Sequence, residues 1–597
     1  MCLGCANPLL SNPAIYEAPD GLAGLSQFAP TRRGFITLST AAILGVGLSG
    51  LGAASARADD ETGGKAEVIF KGGTIVPMAG PATAEAMAIS GGKIIAIGAA
   101  ADVMALATAD TKIVDLAGRT MLPGLIDPHH HTLLASLYFE LLTDVGYEKN
   151  KTRADLIDNL RQLAARTPAG QWITASNFDN LLQGGDLSRE ELDGVSTSHP
   201  IFVWYTNGHD AAVNSLALET AKIPNDIGTL PGGGHFGRDA DGKLNGLVYE
   251  ESAMLKIAVI ALPKITPQLA YKAVKQYMQS VAAAGNTLVH EPGTIRPEWI
   301  EPFAKLTLNG PLRASASMMV DDLKAYEAYR SLGLGATAAQ VPDSLFTIYG
   351  VKIVGDGSNQ TMTGAQTKPY LDTDNKGKAN YSAAQMNEMV ANIKAAGLSV
   401  MIHCNGDACI DIALDAIEAA YAGSTAMGIN RIEHATMARP DQLTRMKKLN
   451  VEPSFLMNHV GLYGAAYRDQ IFGPERAAFM DPAGACVNEG IRFTLHTDSP
   501  CSPIGPLRLL QTAVTRRCDF DNSVVGPAQA ITVQRALEAI TIDAARQIGM
   551  ADRVGSLETG KLADMTILEG NPLTVAPDQI AAIKVSETWV NGEKKFG

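Results

Sequence analysis

The stretch Met121-Leu-Pro-Gly-Leu-Ile-Asp-Pro-His-His-His-Thr132 decides how the rest of the chain is read. Its apolar run, punctuated by Pro123-Gly124, predicts a short buried strand over Met121–Ile126 that delivers Asp127, His129, His130 and His131 at its C-terminal end. Side chains alternate along extended chain, so His129 and His131 face one way and His130 the other. Two imidazoles on one side of a strand tip make half of a first-row metal site, each offering a neutral nitrogen lone pair. A solvated histidine cluster is the plain alternative, but such a cluster has no need of a buried strand behind it.

Working outward, short apolar strands recur, with helical patterns after them. They lie at Met121–Ile126, Thr287–His290, Leu312–Met319, Tyr349–Val354, Leu398–His403, Asn430–His434, Val451–Leu456 and Ile491–Asp498. Asp411–Tyr421 carries one of the intervening helical patterns. Eight such units predict an α/β fold, a closed (β/α)8 TIM barrel with its site at the C-terminal strand ends. The barrel spans 119–554, and residues from about 133 to 284 are too long for one connection. They form an insertion with its own structure, including a strand over Pro200–Tyr205. Ahead of the barrel, AEVIFKGGTIV (66–76) and AMAISGGKIIAIG (86–98) read as strands joined by glycine turns. GSLETGKLADMTIL (555–568) and residues 583–591 repeat that pattern at the other end. Segments 64–118 and 555–597 are therefore expected to pair into a flanking β-sandwich.

Composition excludes several classes. The chain has 597 residues, 46% hydrophobic and 19% charged, enough for a large core and more than one domain. A formal charge of −13 argues against nucleic acid or an anionic membrane surface and favours a small neutral or cationic ligand. Seven scattered cysteines show neither zinc-ribbon spacing nor a disulfide framework. At the N-terminus, TRRGFI (31–36) precedes an Ala/Gly/Leu run, and Ala56-Arg57-Ala58 offers small residues for cleavage. Residues 1–58 resemble a twin-arginine export signal, which places the mature protein in the periplasm or outside the cell. The glycine-broken apolar run is too short for a stable membrane anchor.

Polar residues recur where the strands end. The fourth strand carries Lys352, the fifth ends at His403, the sixth at His434 and the eighth at Asp498. With His129 and His131 they bring four imidazoles, one carboxylate and one lysine to one rim. Only 11 histidines exist in the chain, so four of them on barrel strand tips is a pattern. A carboxylate buried in such a rim is expensive without a cation to pair it. His209, in NGHDAAVNS, and His290, in VHEP, are candidates for supporting or substrate contacts.

PGLIDPHHH, HCNGD, RIEHAT, HTDSP and GSLETGKLADMTIL, in that order, resemble the amidohydrolase superfamily, specifically its amidohydrolase-3 branch, which includes N-substituted formamide deformylases. The resemblance covers about residues 64–595. It implies that His129 and His131 are first-strand metal ligands, that His403 and His434 are those of strands five and six, and that Asp498 is ligand, catalytic base and proton shuttle. Lys352, in GVKIVGDGS, matches the position that is carboxylated in two-metal members. The implied cofactor is a divalent metal, with zinc as the expected ion, one or two per chain, the second depending on carboxylated Lys352. Around the ligands, His403-Cys404-Asn405 and His496-Thr497-Asp498 replace the family's commoner small residues.

The resemblance implies hydrolysis of a C–N bond, in an amide, formamide or cyclic amide of a small molecule. A divalent cation brings the pKa of water from about 15.7 toward about 7, so hydroxide becomes available at neutral pH. An exported binding or regulatory protein on a degenerate hydrolase barrel is the competing reading, since fold alone does not dictate function. The intact ligand set argues against it. Whether the chain forms a homo-oligomer is left open by the sequence.

Overall fold

A computed structural model describes residues 65–597 apart from 209, 231–233, 294–302, 305, 308–309, 326–345 and 422–427. The twin-arginine segment over 1–58 and His209 lie outside the described residues. At the centre, eight parallel strands follow one another in chain order: β1 (Leu125–Asp127), β2 (Asn286–Pro292), β3 (Arg313–Met319), β4 (Phe346–Val354), β5 (Val400–Cys404), β6 (Asn430–His434), β7 (Val451–Phe455) and β8 (Thr494–Leu495). Each overlaps a strand expected from the sequence. Strands β4 to β7 are buried along their whole length, as parallel strands covered on both faces must be. The helix predicted over Asp411–Tyr421 begins earlier, at Asp407, and buries Ile410, Ala413, Leu414 and Ile417, a three-four spacing that lays one face on the barrel.

Closure of the barrel is local. β8 has only two residues, and the ring is completed above it, where Asp498 N–H donates to His129 O at 3.0 Å and His131 N–H donates to Ser499 O at 3.0 Å. Lower down, Ile126 N–H turns instead to Ile540 O, at 2.8 Å. First and last strands therefore meet at the rim.

The expected strand over Met121–Ile126 is two strands. Thr120–Pro123 runs antiparallel to Met565–Leu568 and parallel to Val68–Ile75 in the terminal sheet, and β1 starts only at Leu125. The break falls at Gly124, whose N–H donates to Asp564 O at 2.9 Å. A Cβ there would lie 2.0 Å from Thr287 Oγ1, so the chain can pass from one sheet to the other only without a side chain.

Both chain ends form one eight-stranded sheet, and that sheet curls into the expected sandwich. Three strand steps separate Val68–Ile75 from Val585–Val590, about 14 Å in a flat sheet. Yet the Phe70 and Trp589 rings pack edge to face at 5.1 Å, because the sheet folds over a shared core. This sheet is bolted to the barrel by Arg313 of β3, which is fully buried and donates through Nε and Nη2 to Asp564 at 2.5 and 3.1 Å. The insertion after β1 has its own six-stranded sheet, in which the predicted apolar strand appears as Ile201–Tyr205, with its own apolar core. Its helix Arg153–Arg166 starts at a Thr152–Asp155 capping box.

Gly124→Ala should cost about 1–3 kcal/mol through this overpacking at the junction of the two sheets. Urea unfolding checks it: a lowered midpoint with unchanged slope is expected, and an unmoved midpoint would show that the junction yields freely.

Candidate metal centre

β1 ends at Asp127, so His129, His130 and His131 lie beyond the strand that was expected to carry them. Backbone hydrogen bonds position them all the same. The two closure bonds grip His129 and His131 on one side, and His130 N–H donates to His290 O at 2.8 Å on the other. Alternation survives: His130 turns away to Asp127 Oδ2 (3.0 Å from Nδ1) and Tyr277 Oη (3.1 Å from Nε2). That leaves His129 and His131 facing inward together, their rings 5.3 Å apart.

Asp498 completes the group. Its Oδ1 lies 3.3 Å from His129 Nε2 and 3.1 Å from His131 Nε2. Ligand atoms on a tetrahedral ion with bonds of about 2.0–2.1 Å stand about 3.3 Å from one another, so these three already have the spacing of neighbours in one coordination shell. A second set joins His129 to His434 and His496, with ligand atoms within 4.8 Å. His434 is buried, and its Nε2 has no partner among the described residues. An orphaned buried nitrogen beside a compact N/O set fits a first-row divalent cation. His434 and Asp498 sit at φ of +66° and +55°, unusual for side-chain-bearing residues, and their backbones turn sharply where the strands stop.

Lys352 and His403 stand nearby. Lys352 is fully buried with Nζ 3.4 Å from His129 Nε2. His403 packs edge to face on His434 at 4.5 Å but belongs to neither compact set; its Nδ1 lies 3.1 Å from Asp356 Oδ1 and its Nε2 3.3 Å from Asn405 Nδ2. Asp356 also accepts the N–H groups of Ala365, Asn405 and Gly406 at 2.8–2.9 Å, so that carboxylate is organised around His403. His290 is buried beneath the site, with Nδ1 2.8 Å from Ser315 Oγ.

Behind the inward-facing rings stand residues that the sequence did not single out. Glu433 Oε2 lies 2.6 Å from His129 Nδ1, and Arg431 donates to that oxygen at 2.8 Å and to Pro128 O at 3.1 Å. Glu291 Oε1 lies 3.5 Å from His131 Nδ1. His496 Nε2 meets His434 Nδ1 at 3.2 Å, and Ser454 Oγ meets His496 Nδ1 at 2.8 Å. On His129, His131 and His434 a partner at Nδ1 leaves Nε2 for the centre and fixes how the ring is turned. Arg431 and Glu433 are two residues apart on one strand, both inside a barrel, and that buried charged pair is the signal that could have flagged them.

The electrostatics follow from burial and pairing. Burial works against charge on Asp498, but His129 and His131 hold its carboxyl well below the usual range. Burial likewise opposes charge on Glu433, which Arg431 and His129 hold low. For His129, burial and Lys352 favour the neutral ring, yet Asp498 and Glu433 outweigh them and raise it. Burial keeps His434, His496 and His290 low. The site opens on a cavity of about 300 Å³ walled by Asp498, His434 and His459 from the barrel and by Asp210, Tyr249 and Glu250 from the insertion.

Burial also pushes the His459 imidazole down to about 3. The unfolded chain, with an ordinary histidine near 6.5, binds a proton that the native state refuses, so stability falls as pH drops from about 6.5 toward 3. Between pH 7.5 and 5.5, wild type should lose about 1.4 kcal/mol more than His459→Asn. Urea midpoints of the metal-free proteins measure this, and equal losses would contradict a buried neutral ring.

Comparison with known proteins agrees with this geometry. The description "Amidohydrolase family" matches residues 112–594. An N-substituted formamide deformylase from Arthrobacter pascens is 26% identical over 528 residues, spanning 86% of this chain and 95% of that one. The protein LONG AFTER FAR-RED 3 of Arabidopsis thaliana is 28% identical, over 86% of this chain and 88% of its own. An uncharacterized metal-dependent hydrolase from Pyrococcus horikoshii OT3 shares the fold, with a TM-score of 0.66 and 24% identity over 85% and 99% of the two chains. With a barrel, a rim of imidazoles and a carboxylate, and this match along most of its length, the chain belongs to the amidohydrolase family, the metal-dependent hydrolases of carbon–nitrogen bonds other than peptide bonds.

Proposed function

We propose that the protein hydrolyses the C–N bond of a small neutral or cationic amide, formamide or cyclic amide. One observation carries the reading: a carboxylate oxygen within 3.3 Å of two inward imidazole nitrogens, on the rim of a cavity of about 300 Å³. The deformylase relationship supports an N-substituted formamide within that range. Asp210 and Glu250 in the cavity wall, with neither lysine nor arginine among its described lining residues, disfavour an anionic substrate.

The residues that would hold the metal, zinc being the expected ion, are His129, His131, His434 and Asp498, with His403 and Lys352 beside them. The ion would supply Lewis-acid polarisation of the carbonyl and a lowered pKa for water. Asp498, kept ionised by its histidine neighbours, takes the proton of the attacking water and returns it to the leaving nitrogen. Glu433 and Glu291 hold the His129 and His131 rings in register. Lys352 as an ammonium would repel a cation beside His129. Its carboxylation would convert it to an anion able to bridge two ions, and the prior engagement of Asp356 by His403 is consistent with that assignment. We also propose export by the twin-arginine route, with Arg32-Arg33 as its signal. Among the described residues no helix is long and apolar enough to cross a membrane.

His129→Ala and Asp498→Ala should each lower kcat/KM on a panel of amides by about 10³-fold or more, and His129→Ala should lose bound metal. Lys352→Ala should lose one of two metals and regain activity with short carboxylic acids. Wild-type metal content and turnover in all three variants would overturn the assignment. Fractionation tests the export signal: the Arg32→Lys, Arg33→Lys variant should stay in the cytoplasm, and normal export of it would remove the twin-arginine reading.

A further inference from the structure

Tyr277 belongs to none of the steps above. It sits on the helix Pro267–Ala283, just before β2, and its hydroxyl reaches the rim. Oη lies 3.1 Å from His130 Nε2 and 2.7 Å from Ser499 Oγ. Stacking on Phe139, with ring centroids 5.8 Å apart, keeps the phenol ring in place. Burial pushes its pKa up, so the hydroxyl holds its proton and can give it to one neighbour while accepting from the other.

These two contacts belong to a longer chain. His130 Nδ1 lies 3.0 Å from Asp127 Oδ2. The same oxygen accepts the Thr497 hydroxyl at 2.5 Å, and Asp127 Oδ1 accepts the Thr497 N–H at 3.3 Å. Thr497 Oγ1 in turn accepts the Ser499 N–H at 3.2 Å. The chain leaves Ser499, passes through Tyr277, His130 and Asp127, and returns at Thr497, so Asp498 is the residue between its two ends. Asp498 sits at φ +55°, and a side-chain-bearing residue stays in that region only where its surroundings over-determine it. Its N–H and C=O are tied to His129 O and the Cys501 N–H at 3.0 and 2.8 Å. The side chains of its two neighbours are tied by the chain through Tyr277, and Ser499 Oγ has no other hydrogen-bond partner among the described residues. A misplacement of about 1 Å at such a reacting group can cost about 100-fold in rate.

We infer that Tyr277 is a positioning residue: its hydroxyl, bridging Ser499 and His130, holds the Thr497-Asp498-Ser499 turn so that the Asp498 carboxylate keeps its spacing from His129 and His131. The inference rests on the hydrolase reading. Tyr277 acts through Asp498, which moves the proton, and takes no proton itself. The same bridge gives His130 its place: turned away from the centre, its ring carries the connection from the hydroxyl to Asp127.

Tyr277→Phe keeps the ring and removes the bridge, and Ser499→Ala removes the same bond from its other end. Tyr138→Phe is the control, because it deletes a buried tyrosine hydroxyl that accepts the Asn177 N–H at 3.1 Å in the insertion. On the amide panel, zinc-loaded Tyr277→Phe and Ser499→Ala should each lose about 10- to 100-fold in kcat with KM within about 3-fold of wild type. The double variant should lose little more than the larger single loss, since both changes remove one interaction, and Tyr138→Phe should keep wild-type kcat. Cobalt(II) in place of zinc gives a readout without turnover: its visible bands should shift in Tyr277→Phe and Ser499→Ala, as the Asp498 carboxylate moves, and stay put in Tyr138→Phe. If one of the two variants proves unstable, the other set against Tyr138→Phe still decides. Wild-type kcat in Tyr277→Phe, or losses that multiply in the double variant, overturns the positioning role and leaves the hydrolase reading intact. No turnover of any amide, with the cobalt bands still ordered in this way, sinks only that reading. No turnover and identical bands in every variant removes both.

Discussion

The fold depends on how the first and last strands of the barrel are joined. β8 is two residues long, and the ring is completed by the Asp498 N–H bond to His129 O and the His131 N–H bond to Ser499 O. The same residues put their side chains into the centre. Backbone closure and side-chain convergence are thus one constraint: the hydrogen bonds that finish the barrel fix the separation of Asp498 from both imidazoles. A barrel closed lower down would leave the rim free to splay, and rate depends steeply on sub-ångström placement of such groups.

Holding charge inside this barrel carries a large desolvation cost, and pairing offsets it. Glu433 is buried between Arg431 and His129, Glu291 stands behind His131, and Asp356 receives His403 together with three backbone N–H groups. Removing one member of such a set strands the other, typically at about 3–5 kcal/mol. The interior under the rim is accordingly polar where a barrel core is usually apolar, and that polarity turns the rings toward the centre. Outside it, the long insertion after β1 supplies one wall of the cavity, while the barrel supplies the wall with Asp498, His434 and His459. The two walls of the cavity therefore come from different parts of the chain, consistent with a scaffold that varies its loops over a fixed rim.

Much of this was legible in the residues. Parallel strands buried on both faces must read as short apolar runs, so all eight could be located, and a ligand at the end of a run needs no distant information to be noticed. His129, His131, His434 and Asp498, the proposed ligands, were noticed in that way. Their supports were harder to see. Glu433 stands next to His434 in the chain, but its place depends on His129, 304 residues away, and no local pattern records such a pairing. His403 looked equivalent to His434, yet the Asn405 amide at its Nε2 sets it outside the compact sets.

The sequence by itself determined the order of the strands, the polar residues at their tips and the strand-and-turn pattern of the two chain ends, because each is written in local periodicity and spacing. Only the tertiary structure decided that Met121–Ile126 divides at Gly124, that His130 serves the wall while its neighbours face the centre, and that the His459 ring is held by the Gln360 amide. Each of these is settled by an atom far away in sequence: Thr287 against Gly124, Tyr277 against His130, Gln360 against His459. Which neighbour arrives at a given atom is fixed by packing over the whole barrel, and that information is absent from any single stretch of chain.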